Sequence, residues 1–507
     1  MSNEISRGEL REATLDGVRW MTGAKIAAEV AAFASSVVLA HLISPEEFGR
    51  AAIGLIAATL AMMLTWDGFG TPLVQRKAIE RAHLESTVLI GLVFGLTMST
   101  ATYLLAPALT PVFGSETVDL VQLASPAFLI ASLGVVPQSV LQRRLDFRRL
   151  SLIDVVAIVG GAMSSLLLAT VAGLNGEAVV LGAVIMNAVR TLLLLGSVPL
   201  TAPRWRPRAM WEMARFGGPA ALSSLAFSGI RNVDYAIVGA RLGAAQVGFY
   251  WRGFQFAVDY QRKLTGVMVK MALPVYSRTR DLEHMRAIRG RIVRVHVAMM
   301  FPGLAGLLAT APVLLPWLLG SNWEPAVVPT QILVVLGMTA ALGTGTGPLI
   351  LAAGHPNALL ALNVAYLVLY AAVVWVTAGI GLIAVCIGVA ATGLVRTVAV
   401  YYLLLDRLIG IPFSRLKADV GPAFVSSLGL LAVAAPLTEL GAATGVPAPV
   451  TLLVAGAAGT AVYLTALRRW YPATWGDMAL LADRVLRRRP RAGRAREAPA
   501  HSLAGSS

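Results

Sequence analysis

The sequence predicts an all-α, polytopic membrane protein of about fourteen transmembrane helices: two six-helix lobes in parallel pseudo-repeat plus two C-terminal helices. Three observations predict it: the composition, the succession of span-length apolar stretches, and the one-sided placement of basic residues. Of 507 residues 57% are hydrophobic and only 14% are charged, whereas a typical soluble domain is about a quarter charged. Water cannot be the main solvent of such a chain. A helix needs about 20 apolar residues to cross a bilayer core, and stretches of that length follow one another here with only short Gly, Pro or Arg-rich breaks.

Taken in order, the N-terminus MSNEISRGELREATLDG mixes acids with bases and shows no small-residue cleavage site. No removable signal peptide is expected, and the first span should itself direct insertion. Spans are expected at about 17–42, 51–73, 86–107, 118–140, 151–173, 178–200 and 216–239. A second set of seven follows at about 250–272, 295–317, 326–353, 358–378, 382–405, 419–438 and 448–467.

Basic residues orient these spans. Of 42 Lys and Arg, 32 fall in the alternating set of segments that contains the N-terminus: Arg76/Lys77/Arg81, Arg143/Arg144/Arg148/Arg149, Arg204/Arg206/Arg208/Arg215, the 270–294 loop and the C-terminal tail. The opposite set holds two, Arg50 and Arg241, and eight fall within spans. Basic loops stay in the cytoplasm, so both termini are expected there and the number of spans is even. The eighth span is weak by hydropathy, because its middle reads Asp259-Tyr260-Gln261-Arg262-Lys263. Parity requires it: without that crossing Arg278, Arg280, Arg286, Arg289 and Arg487-Arg488-Arg489 would move to the outer face. The tail 471–507 is rich in Arg, Pro, Ala and Ser and is expected to be disordered, with its basic run lying near the inner leaflet. No nucleic-acid role follows from it. The single cysteine, Cys386, reads as a small packing residue.

An internal repeat is visible. The first span ends His41-Leu42-Ile43-Ser44-Pro45-Glu46-Glu47-Phe48-Gly49, and the seventh ends Ala240-Arg241-Leu242-Gly243-Ala244-Ala245-Gln246-Val247-Gly248. Each is a short turn leading into a span that finishes near a proline and a basic loop, at Pro72 and Pro274. Six spans per unit give both copies the same orientation, related by an axis along the membrane normal. The expected organisation is an N-lobe at 1–200, a C-lobe at 201–406, accessory spans at 407–470 and the tail beyond.

Ionisable residues inside spans cost at least ~2.5 to 3.5 kcal/mol at mid-depth, so they face a wet cavity or a partner. On the eighth span Arg252, Asp259, Lys263 and Lys270 fall within about 40° of one another, flanked by Gln255 and Arg262. On the seventh, Ser224, Ser228, Arg231 and Asp234 share a face, and on the first Thr22, Lys25, Glu29 and Ser36 do. Arg190 with Asn187, Arg396 and Asp67 complete the set. Lys25 with Glu29, and Arg231 with Asp234, also stand at the spacing of helix-locking ion pairs. Arg262 and Lys263 lack an equal number of local acids, which points to a positive cavity for an anionic cargo. The chain contains no phosphate-binding loop, no His/Cys ligand cluster and no nucleophile elbow. Neither catalytic residues nor a metal or cofactor is therefore expected; His41, His296 and His355 stand alone.

The segments Leu39–Gly49 (LAHLISPEEFG), Gly68–Lys77 (GFGTPLVQRK), Val140–Leu150 (VLQRRLDFRRL), Arg215–Asp234 and Gly320–Pro325 (GSNWEP) resemble the polysaccharide, or O-antigen, flippases of the multidrug/oligosaccharidyl-lipid/polysaccharide exporter superfamily. The resemblance spans nearly the whole chain. It implies a two-lobed, V-shaped inner-membrane transporter that alternates between inward and outward states. The implied cargo is undecaprenyl-pyrophosphate-linked oligosaccharide for O-antigen, capsule or exopolysaccharide, with membrane lipids, a polysaccharide polymerase and chain-length proteins as partners. The cationic cavity suits a pyrophosphate, whose oxygens match paired Arg donors, and its candidates are Lys25, Arg190, Arg231, Arg252, Arg262 and Lys263. Related transporters use ion gradients, for which Glu29, Asp67, Asp234 and Asp259 are the available acids. A multidrug cation antiporter on the same fold would want net acid on its inner faces, whereas these spans carry surplus base. A membrane polymerase or ligase generally has a large periplasmic loop, whereas the longest outward loop here is about a dozen residues.

Overall fold

The structure, a computed structural model, describes residues 7–486 apart from 77, 200, 260, 263–264, 266–275 and 277–280. Among the described residues every regular element is helical. In chain order these are α1 (Arg7–Leu42), α2 (Pro45–Gln75), α3 (Arg81–Phe113), α4 (Ser115–Arg143), α5 (Phe147–Thr170), α6 (Gly176–Leu195) and α7 (Pro207–Leu242). Next come α8, which opens as Ala244–Phe254 and continues through a π-helical turn at Gln255–Asp259, α9 (Leu282–Leu319), α10 (Ser321–Ala352) and α11 (Pro356–Thr377). The chain closes with α12 (Leu382–Ile409), α13 (Phe413–Ala443), α14 (Ala448–Trp470) and α15 (Pro472–Leu486).

Twelve of these helices are long and apolar enough to cross a membrane. The seventh and eighth expected spans, α7 and α8, are not among the twelve. α7 is nevertheless 36 residues long, or about 54 Å at 1.5 Å per residue. It falls short on apolarity because Ser, Gly and charged residues are spread along it.

Packing bears directly on the repeat. In the first half α1 lies against α5, α2 against α4 and α6, α3 against α4, α4 against α6, and α5 against α6. Each pairing recurs six helices later: α7 with α11, α8 with α10 and α12, α9 with α10, α10 with α12, and α11 with α12. The two halves meet chiefly where α2 packs on α8 and α7. α13 and α14 pack on each other and on α9, where the Tyr463 hydroxyl donates to the Ala298 carbonyl at 2.8 Å.

Local chemistry explains the two bases expected on the sparsely basic side. Ser44 caps α2 by accepting from the Glu47 amide, and Pro45 occupies the first turn. Arg50 is then neutralised by Glu46 at 2.8 Å, Glu47 and Glu116. Arg241 stacks on the Trp375 ring, 4.6 Å from its centroid, and donates to the Trp375 carbonyl.

At the opposite, basic end, arginines cap helix C-termini, where unpaired carbonyls favour a cation. Arg143 donates to the carbonyls of Leu73, Val74 and Arg76, and Arg286 to that of Ile409. The tail departs from expectation. Residues 472–486 form helix rather than disordered chain, because Trp475 and Met478 pack on the α13/α14 core and Asp477 pairs with Arg291 (3.1 Å) and Arg294 (3.3 Å) of α9. Residues 487–507 lie outside the described residues.

At the same end Glu212, in α7 just before its expected span, joins the two halves by pairing with Arg76 and with His83 Nε2 at 3.2 Å. The His83 hydrogen bond, and then that of Arg76, holds the Glu212 carboxyl below the ordinary glutamate range. A carboxyl depressed in the folded state adds stability above its unfolded value, lost as pH falls through the folded one. Glu212→Gln is therefore expected to melt below wild type at neutral pH, with the gap closing below about pH 4. Thermal unfolding of the purified protein between pH 7 and that value measures this, and a pH-independent gap would refute the latch.

Candidate functional site

The polar residues gather in three places, set by which helix faces meet. The first is the seam where α2 and α8 begin. A Cβ placed on Gly49 would lie 1.8 Å from the Ala244 carbonyl oxygen, and one on Gly248 would lie 1.9 Å from that of Pro45. The contact is reciprocal between repeat-related positions, as an approximate two-fold axis requires. Beside it Arg252 of α8 is only 1% exposed. Its guanidinium lies 4.3 Å from the ring centroid of Phe48, 5.2 Å from Trp323 and 5.3 Å from Trp251. It donates to the Ser36 hydroxyl and, at 3.1 Å, to the Ser36 carbonyl of α1, and also to Gln255 Oε1. Trp323, from the GSNWEP segment, donates its indole N–H to the Ala40 carbonyl at 2.9 Å. Of the remaining polar face of α1, Lys25 is exposed and Glu29 half-buried.

The second place is built by α7, α8, α11 and α12. Asp234 is buried and accepts from the Tyr370 hydroxyl (2.7 Å), the Tyr250 hydroxyl (2.8 Å) and the Tyr235 amide (3.0 Å). Hydrogen-bond donors thus satisfy a carboxylate that would otherwise be costly to bury. About three turns beyond Tyr250, Arg262 pairs with Asp259 at 3.6 Å and lies over the Phe254 ring. Arg396 of α12 lies 4.7 Å from the Tyr366 ring centroid and donates to Asn363 at 3.4 Å. Arg262 is within electrostatic reach of both Asp234 and Arg396, and Arg231 is within reach of Tyr235. Among the described residues Arg231 and Arg396 enter no ion pair. The expected Arg231–Asp234 pairing is thus replaced by tyrosine hydroxyls on Asp234. Lys263 lies outside the described residues.

The third is a cavity of about 330 Å³ between α2, α4 and α6, which brings Asp67 and Arg190 to one site. Arg190 is held by Asp154 of α5 (2.8 Å) and Gln138 of α4 (3.0 Å). Asp67 lies on a π-helical turn, Trp66–Gly70, just as Asp259 lies on the one in α8. Such turns insert an extra residue into a helix and are frequent at functional sites.

Helical periodicity identified the polar faces, but it could not identify Tyr250, Tyr370, Gln138, Asp154 or Trp66. Tyr370 lies 136 residues from Asp234, and no local pattern carries that separation.

Comparison with known proteins gives consistent results. The profile of a family described as polysaccharide biosynthesis protein matches residues 38–328. The lipopolysaccharide biosynthesis protein WzxC of Escherichia coli K12 is 24% identical over 84% of this chain and 87% of its own length. The teichuronic acid biosynthesis protein TuaB of Bacillus subtilis is 22% identical over 91% of this chain and 96% of its own. Among solved structures, the lipid II flippase MurJ in an inward closed conformation superposes with a TM-score of 0.73 at 14% identity, over 89% of this chain and 99% of that one. An inward-facing multidrug resistance transporter of the MATE family gives 0.59 at 16% identity, over 77% and 96%. These two likenesses establish the fold.

Proposed function

The chain belongs to the polysaccharide biosynthesis protein family, whose profile covers more than half of it, and from that premise we propose that it flips undecaprenyl-pyrophosphate-linked oligosaccharide across the bacterial inner membrane. The basic end, with both termini, faces the cytoplasm, where the positive-inside rule puts it. Lipid-linked units produced there enter between the two halves, and the seam of α2 and α8 opens to release them on the other side. Supply to a polysaccharide polymerase and its chain-length partner follows from this placement.

The observation that carries the reading is the excess of guanidinium over carboxylate in the second half. Arg231 and Arg396 have no acid partner among the described residues, and Arg262 shares Asp259 at only 3.6 Å. Guanidinium groups that no carboxylate neutralises bind a pyrophosphate through paired donors and direct charge attraction. Lys25 and Lys263 would add to that field, while Asp67, Glu29, Asp234 and Asp259 are the acids through which an ion gradient could be coupled. Asp234, tethered by two hydroxyls that can turn away, is the best placed of these.

The test is flipping of the lipid-linked oligosaccharide by the full-length chain in vesicles. Hydrogen bonds to charged groups contribute about 1.5 to 3 kcal/mol each, so Arg262→Ala with Arg396→Ala should slow flipping at least about tenfold with the melting temperature little changed. A folded double variant working at the wild-type rate would sink the assignment.

A further inference from the structure

We propose that the cavity of the first half is a saccharide subsite, which takes sugar rings of the cargo while the arginines of the second half take its pyrophosphate. The proposal rests on the flippase reading and divides the cargo between the two halves. The cavity holds about 330 Å³, at the lower end of the range of about 300 to 1,000 Å³ for small-molecule sites.

Its chemistry is that of a neutral polyol site. Arg190 presents a positive charge, but Asp154 holds its Nε and Asp67 stands on the same cavity wall. A bare anion would therefore face a carboxylate, and a bare cation would face a guanidinium. A sugar offers hydroxyls that donate to the one and accept from the other. Two of the Arg190 donors are already used, Nε on Asp154 and Nη1 on Gln138 Oε1 at 3.0 Å, which fixes the guanidinium plane and the Gln138 amide together. Among the described residues no protein partner takes Arg190 Nη2, Gln138 Nε2 or the Trp66 indole N–H. Asn187 uses its amide N–H on the Ala183 carbonyl, which leaves its Oδ1 as an acceptor. The wall thus presents buried and half-buried donors and acceptors with no partner among the described residues, and a ligand rich in hydroxyls satisfies them.

Trp66 supplies the apolar counterpart, since the C–H face of a sugar ring packs on an aromatic ring. Its position is built in: a Cβ on Gly70 would come within 2.4 Å of Trp66 Cε3, so the indole lies directly against that glycine in the next turn. Trp66 and Asp67, neighbours on the π-helical turn at Trp66–Gly70, both line the cavity.

The experiment measures equilibrium binding to the purified full-length protein in detergent, with two probes. One is the lipid-linked oligosaccharide that accumulates in cells lacking the chain, and the other is undecaprenyl pyrophosphate without sugar. Trp66→Ala and Gln138→Leu are each expected to weaken the glycosylated lipid about tenfold, the effect of losing one or two hydrogen bonds or one ring contact. Affinity for the bare lipid should stay within about twofold of wild type. Gln138→Leu keeps the helix packing if Trp66→Ala does not fold. Gly70→Ala, which displaces the indole without touching a polar group, should reproduce the Trp66→Ala result.

Three outcomes overturn the subsite: wild type binding both lipids equally, variants binding the glycosylated lipid as wild type does, or variants losing both lipids in parallel. A wild-type protein that binds neither lipid overturns the flippase reading instead.

Discussion

Replacing Gly49 or Gly248 with alanine is expected to lower flipping by at least about tenfold while leaving each half folded. The glycines stand where the two halves touch, and the atoms opposite them are backbone carbonyls that no rotamer change can move. A Cβ at 1.8 Å from the Ala244 oxygen must retreat by roughly 1.5 Å to reach ordinary contact, so α2 and α8 separate or distort. Over-packing of this kind costs about 1 to 3 kcal/mol. That cost falls on whichever transport state brings the two helices together and not on the state in which they are apart. The contact is reciprocal, so the double variant should be little worse than either single one, because the first substitution already holds the seam open. Flipping in vesicles, alongside thermal unfolding, measures both effects. Wild-type rates in both single variants, or losses that multiply in the double, would show that the seam does not gate transport.

Arg252→Ala should destabilise the protein by about 2 to 4 kcal/mol, the sum of lost charged hydrogen bonds and cation–π contacts inside a buried box. The Ser36 hydroxyl and the Gln255 amide lose their shared donor, and the rings of Phe48, Trp251 and Trp323 are left around a void. Arg252→Lys is the sharper probe. An ammonium cannot donate in one plane to Ser36 Oγ, Ser36 O and Gln255 while stacking on a ring, so lysine should recover less than half of the loss. Chemical denaturation in detergent gives the number. A lysine variant as stable as wild type would mean that charge alone, without the planar fork, holds this seam.

These expectations show how far the sequence was legible. The bilayer leaves its mark locally: every span must satisfy its own backbone and present apolar side chains to lipid, so hydropathy and loop charge are written along the chain. The repeat was legible for a related reason, because both copies of the turn before α2 and α8 need small residues where backbones meet. The weak eighth span shows the limit of hydropathy. Arg252, Asp259 and Arg262 make it polar: Arg252 finds its partners in other helices, at Ser36, Phe48 and Trp323, whereas Asp259 and Arg262 pair with each other within α8, where Arg262 also lies over the Phe254 ring. The tail was misread over 472–486 for a similar reason, since its composition shows no core and the core it uses belongs to α9, α13 and α14.

By itself, then, the sequence determined the membrane class, the succession of apolar helices, the two-fold repeat, and the surplus of bases over acids on the expected spans. Only the tertiary structure decided what those charges do. It sent Arg252 into the seam with Ser36, 216 residues away, and Arg190 to Asp154, 36 residues away. It gave Asp234 to Tyr250 and Tyr370 instead of Arg231. The physical reason is that a helix's periodicity fixes which residues share a face, whereas the partner of that face is chosen by packing between helices distant in sequence.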